Sequence, residues 1–434
     1  MKKLMILAAL LPLLTACVYD FEASLTPDQY TVVVEGDIIV GGTTTIRFSR
    51  LNPEVLEKPE ARDWSDYLSS YADPSEVSSS RYDGWGIPVS FTARVEGEDG
   101  SVVEADGVSG FCTLDTRSLS PGTRYRLCLY DKEKKFHYAS QWETVQGAPE
   151  IDRLSYRVNE KSLDVMISFH SDGSTPYYCL AYDEQWEYRA YATTTMRYLR
   201  KGEAVPAGWM QVFPEEELGL GDEYGRIFET REFYPNYTCW NTSKAGVSTV
   251  ITTGAMVHNK MVDYVFRTID REDRRISVAY RPIVSLRMIS QESYAYWESL
   301  ERASSQTGDL FSPIPSTVRG NIVNEDQPEA VVIGYIGASR QVSAEMMIRD
   351  RDIHLYREPA LVGQTLLSQS VGWGGAKGVK MYEMPSQYLA GNRPWRVDTP
   401  ENGNGAFYVW LPERCMDCRN QGGSIVKPQN WPEE

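Results

Sequence analysis

Cysteine is the residue type in this sequence whose spacing most directly suggests chemistry. Cys415 and Cys418 are separated by two residues, the CxxC spacing found in redox-active and zinc-binding sites. A thioredoxin-like redox site would need this motif at the start of a helix within a βαβ unit, but here it follows Pro412 near the chain end. A zinc ribbon would need a second CxxC pair, which the sequence lacks. We therefore interpret the motif as part of a structural disulfide.

Other catalytic constellations are sparse. The sequence has four histidines, and no two of them have the HxxxH spacing of zinc peptidases. His170, Ser171 and Asp172 are triad residue types, but adjacent residues in a turn cannot adopt the geometry of nucleophile, base and orienting acid. The glycine-rich run at 372–378 matches neither the P-loop nor the dinucleotide fingerprint. We expect no metal and no cofactor, although carboxylates are numerous enough to supply a glycosidase-type pair.

The start of the chain has the features of an export signal. A basic segment and a short apolar stretch are followed by Leu14-Thr15-Ala16-Cys17, which resembles a bacterial lipobox. In a lipobox the cysteine thiol is linked to diacylglycerol and the preceding peptide is removed. Two or three acyl chains on one cysteine form a firm membrane anchor. We therefore expect a lipoprotein signal peptide at 1–16, lipidation of Cys17 and a tether at 17–27.

Export would place the remaining cysteines in an oxidising compartment, where disulfides form and persist. Their even number permits complete pairing, but the sequence does not fix the connectivity. The candidates are Cys112, Cys128, Cys179, Cys239, Cys415 and Cys418. We favour a disulfide between Cys112 and Cys128, because both lie in one small predicted β domain.

Composition excludes some classes of function. The 434 residues include 60 acidic and 44 basic side chains, for a formal net charge of −16. This charge argues against nucleic-acid binding, because phosphates repel an acidic surface. Only the start of the chain carries a sustained apolar run, which argues against a membrane protein with several spans. The 27 tyrosines outnumber the 12 phenylalanines, a bias typical of half-exposed β surfaces.

Alternating apolar residues predict a mainly β protein that begins with an Ig-like or fibronectin-type β-sandwich over residues 28–147. Apolar and polar residues alternate strictly from 89 to 95. Further on, Leu119-Ser120-Pro121-Gly122 precedes Tyr125. This pattern looks like the tyrosine corner of Ig-like sandwiches, in which the tyrosine hydroxyl bonds to the backbone of the preceding turn. The polar segment 52–86 is predicted to be an irregular loop.

After a Gly-Ala-Pro linker, residues 150–434 are predicted to form a larger β-rich domain with few helices. Leu163 to Phe169 alternate as a strand, whereas residues from about 183 to 260 lack a clear period and predict long loops. One helix is predicted near 290–306. Ser290 can cap it, and Tyr294 and Trp297 begin an apolar series at helical spacing.

Several further segments carry a family resemblance in their order and spacing. They are Asp183-Glu184-Gln185-Trp186-Glu187-Tyr188, Cys239-Trp240, the Ser290–Leu300 helix, the run from Phe311 to Ile322, Gly334-Tyr335-Ile336-Gly337-Ala338-Ser339, and the ending from Cys415 to Trp431. Together they resemble an uncharacterised family of Bacteroidota outer-membrane lipoproteins, domain of unknown function 4249. Ile336 stands where the family pattern leads us to expect an aromatic residue, which is a conservative packing change.

The resemblance implies a setting and no established activity. Members of this family are typically encoded beside TonB-dependent outer-membrane receptors. It therefore implies a lipid-anchored outer-membrane protein, exposed at the cell surface, whose partner is such a receptor.

Two functions remain open from the sequence. The first, which we favour, is a non-catalytic accessory subunit of a TonB-dependent transporter that binds ligand or docks on the receptor. Aromatic side chains offer flat apolar area for such contacts, unless they belong to the core. The candidates are Trp186, Tyr188, Trp209, Tyr237 and Trp240. The alternative is a surface hydrolase of glycans or peptides that uses a carboxylate pair not visible in the sequence.

Overall fold

The computed structural model describes residues 31–51, 86–171, 174–212, 222–244, 249–256, 259–307, 320–358, 383–398 and 407–432. The predicted signal peptide, Cys17, the tether, residues 52–85 of the predicted loop and the glycine-rich run at 372–378 lie outside these ranges. The described chain is mainly β, as the sequence predicts. None of its helices is both long and apolar enough to span a membrane.

The first part of the chain contributes ten strands. They are β1 (Val32–Glu35), β2 (Ile38–Ile39), β3 (Thr43–Leu51), β4 (Gly86–Pro88), β5 (Phe91–Gly97), β6 (Val102–Gly107), β7 (Phe111–Asp115), β8 (Arg124–Asp131), β9 (His137–Ser140) and β10 (Glu143–Thr144).

The middle part contributes ten strands and the long helix. They are β11 (Glu150–Val158), β12 (Ser162–His170), β13 (Tyr177–Arg189), β14 (Met196–Leu199), β15 (Met210–Gln211), β16 (Arg226–Glu229), β17 (Thr238–Lys244), β18 (Thr249–Thr252), β19 (Met261–Asp270), β20 (Ala279–Met288) and α1 (Gln291–Thr307), with 3₁₀ turns at Asp222–Tyr224 and Arg274–Ile276.

The last part contributes short elements. They are β21 (Ile322–Asn324), β22 (Val332–Ile333), β23 (Ala338–Ser339), β24 (Gln341–Glu345), β25 (Ile348–Arg349), α2 (Asp350–Ile353), α3 (Met384–Leu389), β26 (Asn392–Asp398) and β27 (Phe407–Pro412), with 3₁₀ turns at Glu413–Cys415 and Cys418–Gln421.

The first sandwich packs two sheets face to face. One has the order β22-β1-β3-β4, with β7 also paired to β3, and the other has the order β21-β9-β8-β5-β6, with β10 paired to β8. Every second residue of β5 is buried, as the alternating sequence predicts. At the centre of the core, the ring of Phe48 lies 5.3 Å from that of Phe91 and 5.4 Å from that of Tyr138.

The predicted tyrosine corner is present in this sandwich. Tyr125 is fully buried, and its hydroxyl donates a hydrogen bond to the carbonyl of Ser120 at 2.8 Å. The same hydroxyl accepts a hydrogen bond from the Ser120 amide at 2.9 Å. Both bonds fix the turn before β8 to the buried side chain of Tyr125. The predicted tyrosine corner is therefore confirmed.

The first sandwich also contains a segment from far along the chain, which we call the returning segment (320–339). Its strand β21 pairs antiparallel with β9, while β22 and β23 pair in parallel with β1 and β2. Ile336 is fully buried in the core of this sandwich. Gly334 has a φ of 139°, and a side chain there would collide with the carbonyl of Val34. Residues 28–147 therefore do not form the whole first sandwich, because the returning segment supplies some of its strands and part of its core.

The second sandwich is formed by a three-stranded sheet, β11-β12-β19, and a sheet of order β17-β13-β20-β24, in which β18 also pairs with β13 and β25 with β20. Its core is built on the inward side chains of β12, including Val165 and Ile167. Helix α1 packs against β13 and β18. The Ser290 hydroxyl accepts a hydrogen bond from the Ser293 amide at 3.1 Å, which confirms the predicted helix and its cap.

A smaller unit combines the sheet β14-β16-β15 with the hairpin β26–β27 and helix α3. Its centre is Trp410, which is fully buried and lies 5.5 Å from the ring of Tyr198. The prediction of long loops over about 183–260 is wrong, because the end of β13 and the strands β14 to β18 lie in this range. Most of these strands are too short to show a clear period in the sequence.

Candidate functional site

Four of the five predicted aromatic residues come together around β13 and β17. The antiparallel register places Tyr188 opposite Cys239, and Glu187 opposite Trp240. Trp186 and Tyr237 lie near the same end of the sheet. The fifth residue, Trp209, lies in the smaller unit with its ring 6.3 Å from that of Phe228.

Tyr188 belongs to the core rather than to an exposed surface. Its side chain is 2% exposed, and burial raises the pKa of Tyr188 to about 12. Its hydroxyl lies 3.2 Å from both the carbonyl of Cys418 and that of Gln421. Tyr188 therefore holds the C-terminal 3₁₀ turn against the second sandwich.

Cys239 and Cys418 form a disulfide across a sequence separation of 179 residues, with their Cα atoms 5.7 Å apart. The interpretation of the CxxC motif as part of a structural disulfide is confirmed for Cys418, whereas Cys415 forms no disulfide. The C-terminal 3₁₀ turn lies against the face of β17 that carries Cys239, so Cys418 reaches a distant partner while Cys415 does not bond to it.

The predicted pairing of Cys112 with Cys128 is wrong, because neither cysteine is in a disulfide. Cys112 points into the core of the first sandwich, and its thiol donates to the carbonyl of Ala105 at 3.5 Å. Cys128 lies between the inward residues Leu127 and Leu129 of β8 and so faces outward. The Cys112 side chain lies in the core between the sheets, whereas the Cys128 side chain lies on the outer face of its sheet, so the two cannot form a disulfide. Burial raises the pKa of both thiols, that of Cys128 to about 11.

The loop at 230–237 lies beside this disulfide and is held by several hydrogen bonds. Arg197 donates to the carbonyls of Met196 at 3.0 Å and of Thr194 at 3.2 Å. It also donates to the loop carbonyls of Glu232 at 3.2 Å and of Phe233 at 2.7 Å. One guanidinium thereby joins the loop backbone to β14.

The side chains of the loop are tied to the C-terminal part of the chain. The Tyr234 hydroxyl donates to the Glu413 carboxylate at 2.5 Å and accepts from Arg393 at 3.0 Å. Asn236 donates to the Asp417 carboxylate at 3.1 Å, and its carbonyl accepts from the Cys418 amide at 2.9 Å. The loop therefore has a defined backbone at its middle and at its end.

This fixed loop exposes its phenylalanine. Phe233 is 61% exposed, and its ring lies 5.7 Å from that of Tyr237. The guanidinium of Arg189 lies 5.8 Å from the Tyr237 ring. Arg274 donates a hydrogen bond to the carbonyl of Arg189 and lies 4.3 Å from the ring of Tyr191. We call these five residues the aromatic–guanidinium stripe.

The remaining predicted aromatics lie outside this stripe. Trp240 projects on the opposite face of the sheet from Tyr188, with the ammonium of Lys427 5.6 Å from its ring. Trp186 is half-buried, with the guanidinium of Arg275 5.0 Å from its ring. Of the predicted surface, only Tyr237 is therefore part of the stripe.

The sequence reasoning missed Phe233, Arg189, Tyr191 and Arg274. The stretch 230–237 alternates aromatic, charged and turn residues within a few positions. That composition is the one local sign of the loop, and it does not show which ring faces solvent.

A buried carboxyl lies at the junction of the first sandwich with the returning segment. Burial raises the pKa of Glu143, while hydrogen bonds from the Tyr335 hydroxyl at 2.8 Å and the Asn321 amide at 2.9 Å oppose that rise. Asn321 also pairs with the backbone of Ile336 through both its amide and its carbonyl. Glu143 therefore anchors the returning segment. Within the described ranges, no group of three or more His, Cys, Asp and Glu side chains is arranged to hold a metal ion.

Among solved structures, a segment of two fibronectin type-III domains from chicken tenascin is similar, with 10% sequence identity and a TM-score of 0.16. The similarity covers 73% of this chain and 97% of that segment. No curated protein matches the chain.

A family model matches residues 18–345, which include the first sandwich, the returning segment and all strands of the second sandwich except β25. The disulfide partner Cys418 and the hairpin β26–β27 lie beyond the matched residues. Because the match covers most of the sequence, the chain belongs to the family described as Domain of unknown function (DUF4249).

Proposed function

We propose that the protein is a non-catalytic lipoprotein of the outer membrane, exposed at the cell surface. It acts as an accessory docking or ligand-binding subunit of a TonB-dependent transporter. The observation that carries this proposal is the loop at 230–237, whose backbone is fixed by Arg197 while Phe233 remains 61% exposed.

Such an arrangement suits a binding surface. Association normally costs free energy to order loops and side chains, and a loop already ordered in the free protein avoids much of that cost. Tyrosine, phenylalanine and arginine are enriched in the central parts of protein interfaces, where a few anchors carry most of the binding energy. The stripe consists of these residue types.

The disulfide between Cys239 and Cys418 supports the proposed compartment. Disulfides persist in oxidising environments and are rare in the reducing cytosol. This is consistent with the lipobox-like run that ends at Cys17. Lipidation there would tether the protein to the membrane.

The geometry of the described residues favours docking over the hydrolase alternative. A catalytic acid would need a raised pKa, and among the described carboxyl groups burial raises the pKa of Glu143. However, Oε1 of Glu143 already accepts hydrogen bonds from Asn321 and Tyr335. Its raised pKa therefore has a structural cause, the burial of the returning segment's anchor.

Purification of the tagged full-length lipoprotein from detergent-solubilised native membranes tests the proposal. We expect a TonB-dependent receptor to be recovered with it, and labelled fatty acid to be incorporated. A Cys17→Ala variant should lose the fatty acid and its membrane association. Recovery of the lipidated protein without any such receptor would contradict the proposal.

A further inference from the structure

We infer that the aromatic–guanidinium stripe docks a carboxylate-bearing polypeptide segment of the partner receptor. The inference rests on the proposed function and deepens it by naming the chemistry of the partner surface. The charge of the stripe, the contacts of its guanidiniums and its exposed apolar area favour such a partner.

The charge of the stripe differs from that of the protein. The chain carries 60 acidic residues against 44 basic ones. Nevertheless, Arg189 and Arg274, and the adjacent exposed Arg231, form no ion pair with any carboxylate of the described residues. Nearby arginines do so, as in the pair of Arg393 with Glu413 at 2.7 Å. In a protein with excess carboxylates, guanidiniums that form no ion pair with a carboxylate remain available to an external acid.

Aromatic rings lie close to these guanidiniums. The guanidinium of Arg274 is 4.4 Å from the ring of Tyr188 and 4.3 Å from that of Tyr191, and the guanidinium of Arg189 is 5.8 Å from the ring of Tyr237. A guanidinium beside a ring can still donate hydrogen bonds through its N–H groups, although Arg274 already uses one of them on the carbonyl of Arg189. Those donors match the two oxygens of a carboxylate, and an ordered side chain loses less entropy when it binds.

The exposed ring argues for a polypeptide as the source of the carboxylate. Phe233 adds a large apolar surface beside the charged groups, and its ring packs at a tilt against that of Tyr237. A small free anion would make no use of that surface. A peptide segment with acidic and apolar side chains would contact both, as aromatic and arginine anchors do in protein interfaces.

A charge-reversal experiment on the full-length, membrane-anchored protein tests this inference. The double variant Arg189→Glu/Arg231→Glu should recover at least about tenfold less receptor than the wild type, because like charges then face the acidic segment. The variant Phe233→Ala should reduce recovery in the same direction, since an interface anchor is lost. Higher salt should weaken the wild-type complex.

The matched control is Arg340→Glu, the reversal of an exposed arginine that follows β23 in the first sandwich. It should recover as much receptor as the wild type. Circular dichroism should show that all variants keep the wild-type fold. Equal recovery of receptor by the double variant and the control would overturn the inference and leave the proposed function standing. Failure of the wild type to recover a receptor would instead contradict the proposed function.

A photo-crosslinking amino acid in place of Phe233 identifies what the stripe contacts. We expect an adduct with an extracellular loop of the receptor, and mass spectrometry should place acidic residues within the crosslinked peptide. An adduct with an anionic polysaccharide, or with a receptor segment that lacks acidic residues, would overturn the inference.

Discussion

Arg287 and Asp37 form a buried ion pair between the two sandwiches, with Nη2 and Oδ2 2.6 Å apart. Arg287 lies on β20, whereas Asp37 follows β1 and also accepts a hydrogen bond from the Gly337 amide at 2.7 Å. One carboxylate thus joins the first sandwich, the returning segment and the second sandwich. Because an unpaired buried charge is costly, the pair favours one relative placement of these three parts.

Removal of the cation should therefore destabilise the fold strongly. We expect Arg287→Met to lower the free energy of unfolding by about 3–5 kcal/mol, since it leaves Asp37 charged and buried. The double variant Asp37→Asn/Arg287→Met should be more stable than Arg287→Met, because asparagine is neutral and can still accept from Gly337. Denaturant unfolding monitored by fluorescence measures both. A double variant less stable than the single one would contradict the coupling.

Loss of the tyrosine corner should lower the free energy of unfolding less than loss of the buried ion pair. Tyr125→Phe keeps the buried ring but removes both hydrogen bonds to Ser120. We expect a loss of about 1–2 kcal/mol in the free energy of unfolding. The matched control is Tyr156→Phe on β11, where the side chain is 39% exposed and the change should be close to zero. Similar effects of the two substitutions would show that the corner does not stabilise the sandwich.

The disulfide predicts a connectivity and a stability effect. Peptide mapping under non-reducing conditions should recover Cys239 joined to Cys418, and Cys415→Ser should leave that pairing unchanged. Because the disulfide closes a long loop, Cys239→Ser should cost about 5 kcal/mol in the chain-entropy model, measured by thermal unfolding. A peptide in which Cys415 is joined to Cys418 would contradict the structure.

Glu143 predicts a pH dependence of defined sign. Burial holds its pKa above the ordinary value of 4.5, so the folded state binds this proton more tightly than the unfolded state does. Its contribution to stability is therefore fully present below about pH 4.5 and declines as pH rises through the folded-state pKa. A Glu143→Gln variant lacks this titration, so its stability relative to the wild type should increase with pH above that point. Unfolding measured across the pH range checks this, and a difference that is constant with pH would refute it.

The sequence was informative where a pattern is local. The alternation in β5 and β12 predicted buried strands. The Pro-Gly turn before Tyr125 predicted a tyrosine corner, which the hydrogen bond from the Tyr125 hydroxyl to Ser120 forms. Strand period and turn chemistry depend on neighbouring residues, so they can be recognised in one sequence. The cap of α1 at Ser290 is of the same kind.

Features that depend on distant residues could not be predicted. Cys418 pairs with Cys239 because the last 3₁₀ turn lies against β17, and no local pattern reports that placement. Tyr188 and Phe233 are both aromatic residues in loop-like sequence, yet one is buried and the other exposed. Aromatic identity alone therefore could not separate the core from the candidate site.

The returning segment has a consequence for the order in which the chain can fold. During synthesis, β1 and β9 emerge early, but their partners β22 and β21 are completed only when residues 322–333 have been made. The first sandwich cannot close as an independent unit in the order of translation, because part of its core is the late-arriving Ile336. Pairings across such long stretches of chain also slow folding. The first sandwich is therefore completed only after the strands of residues 150–288 and helix α1 have been synthesised.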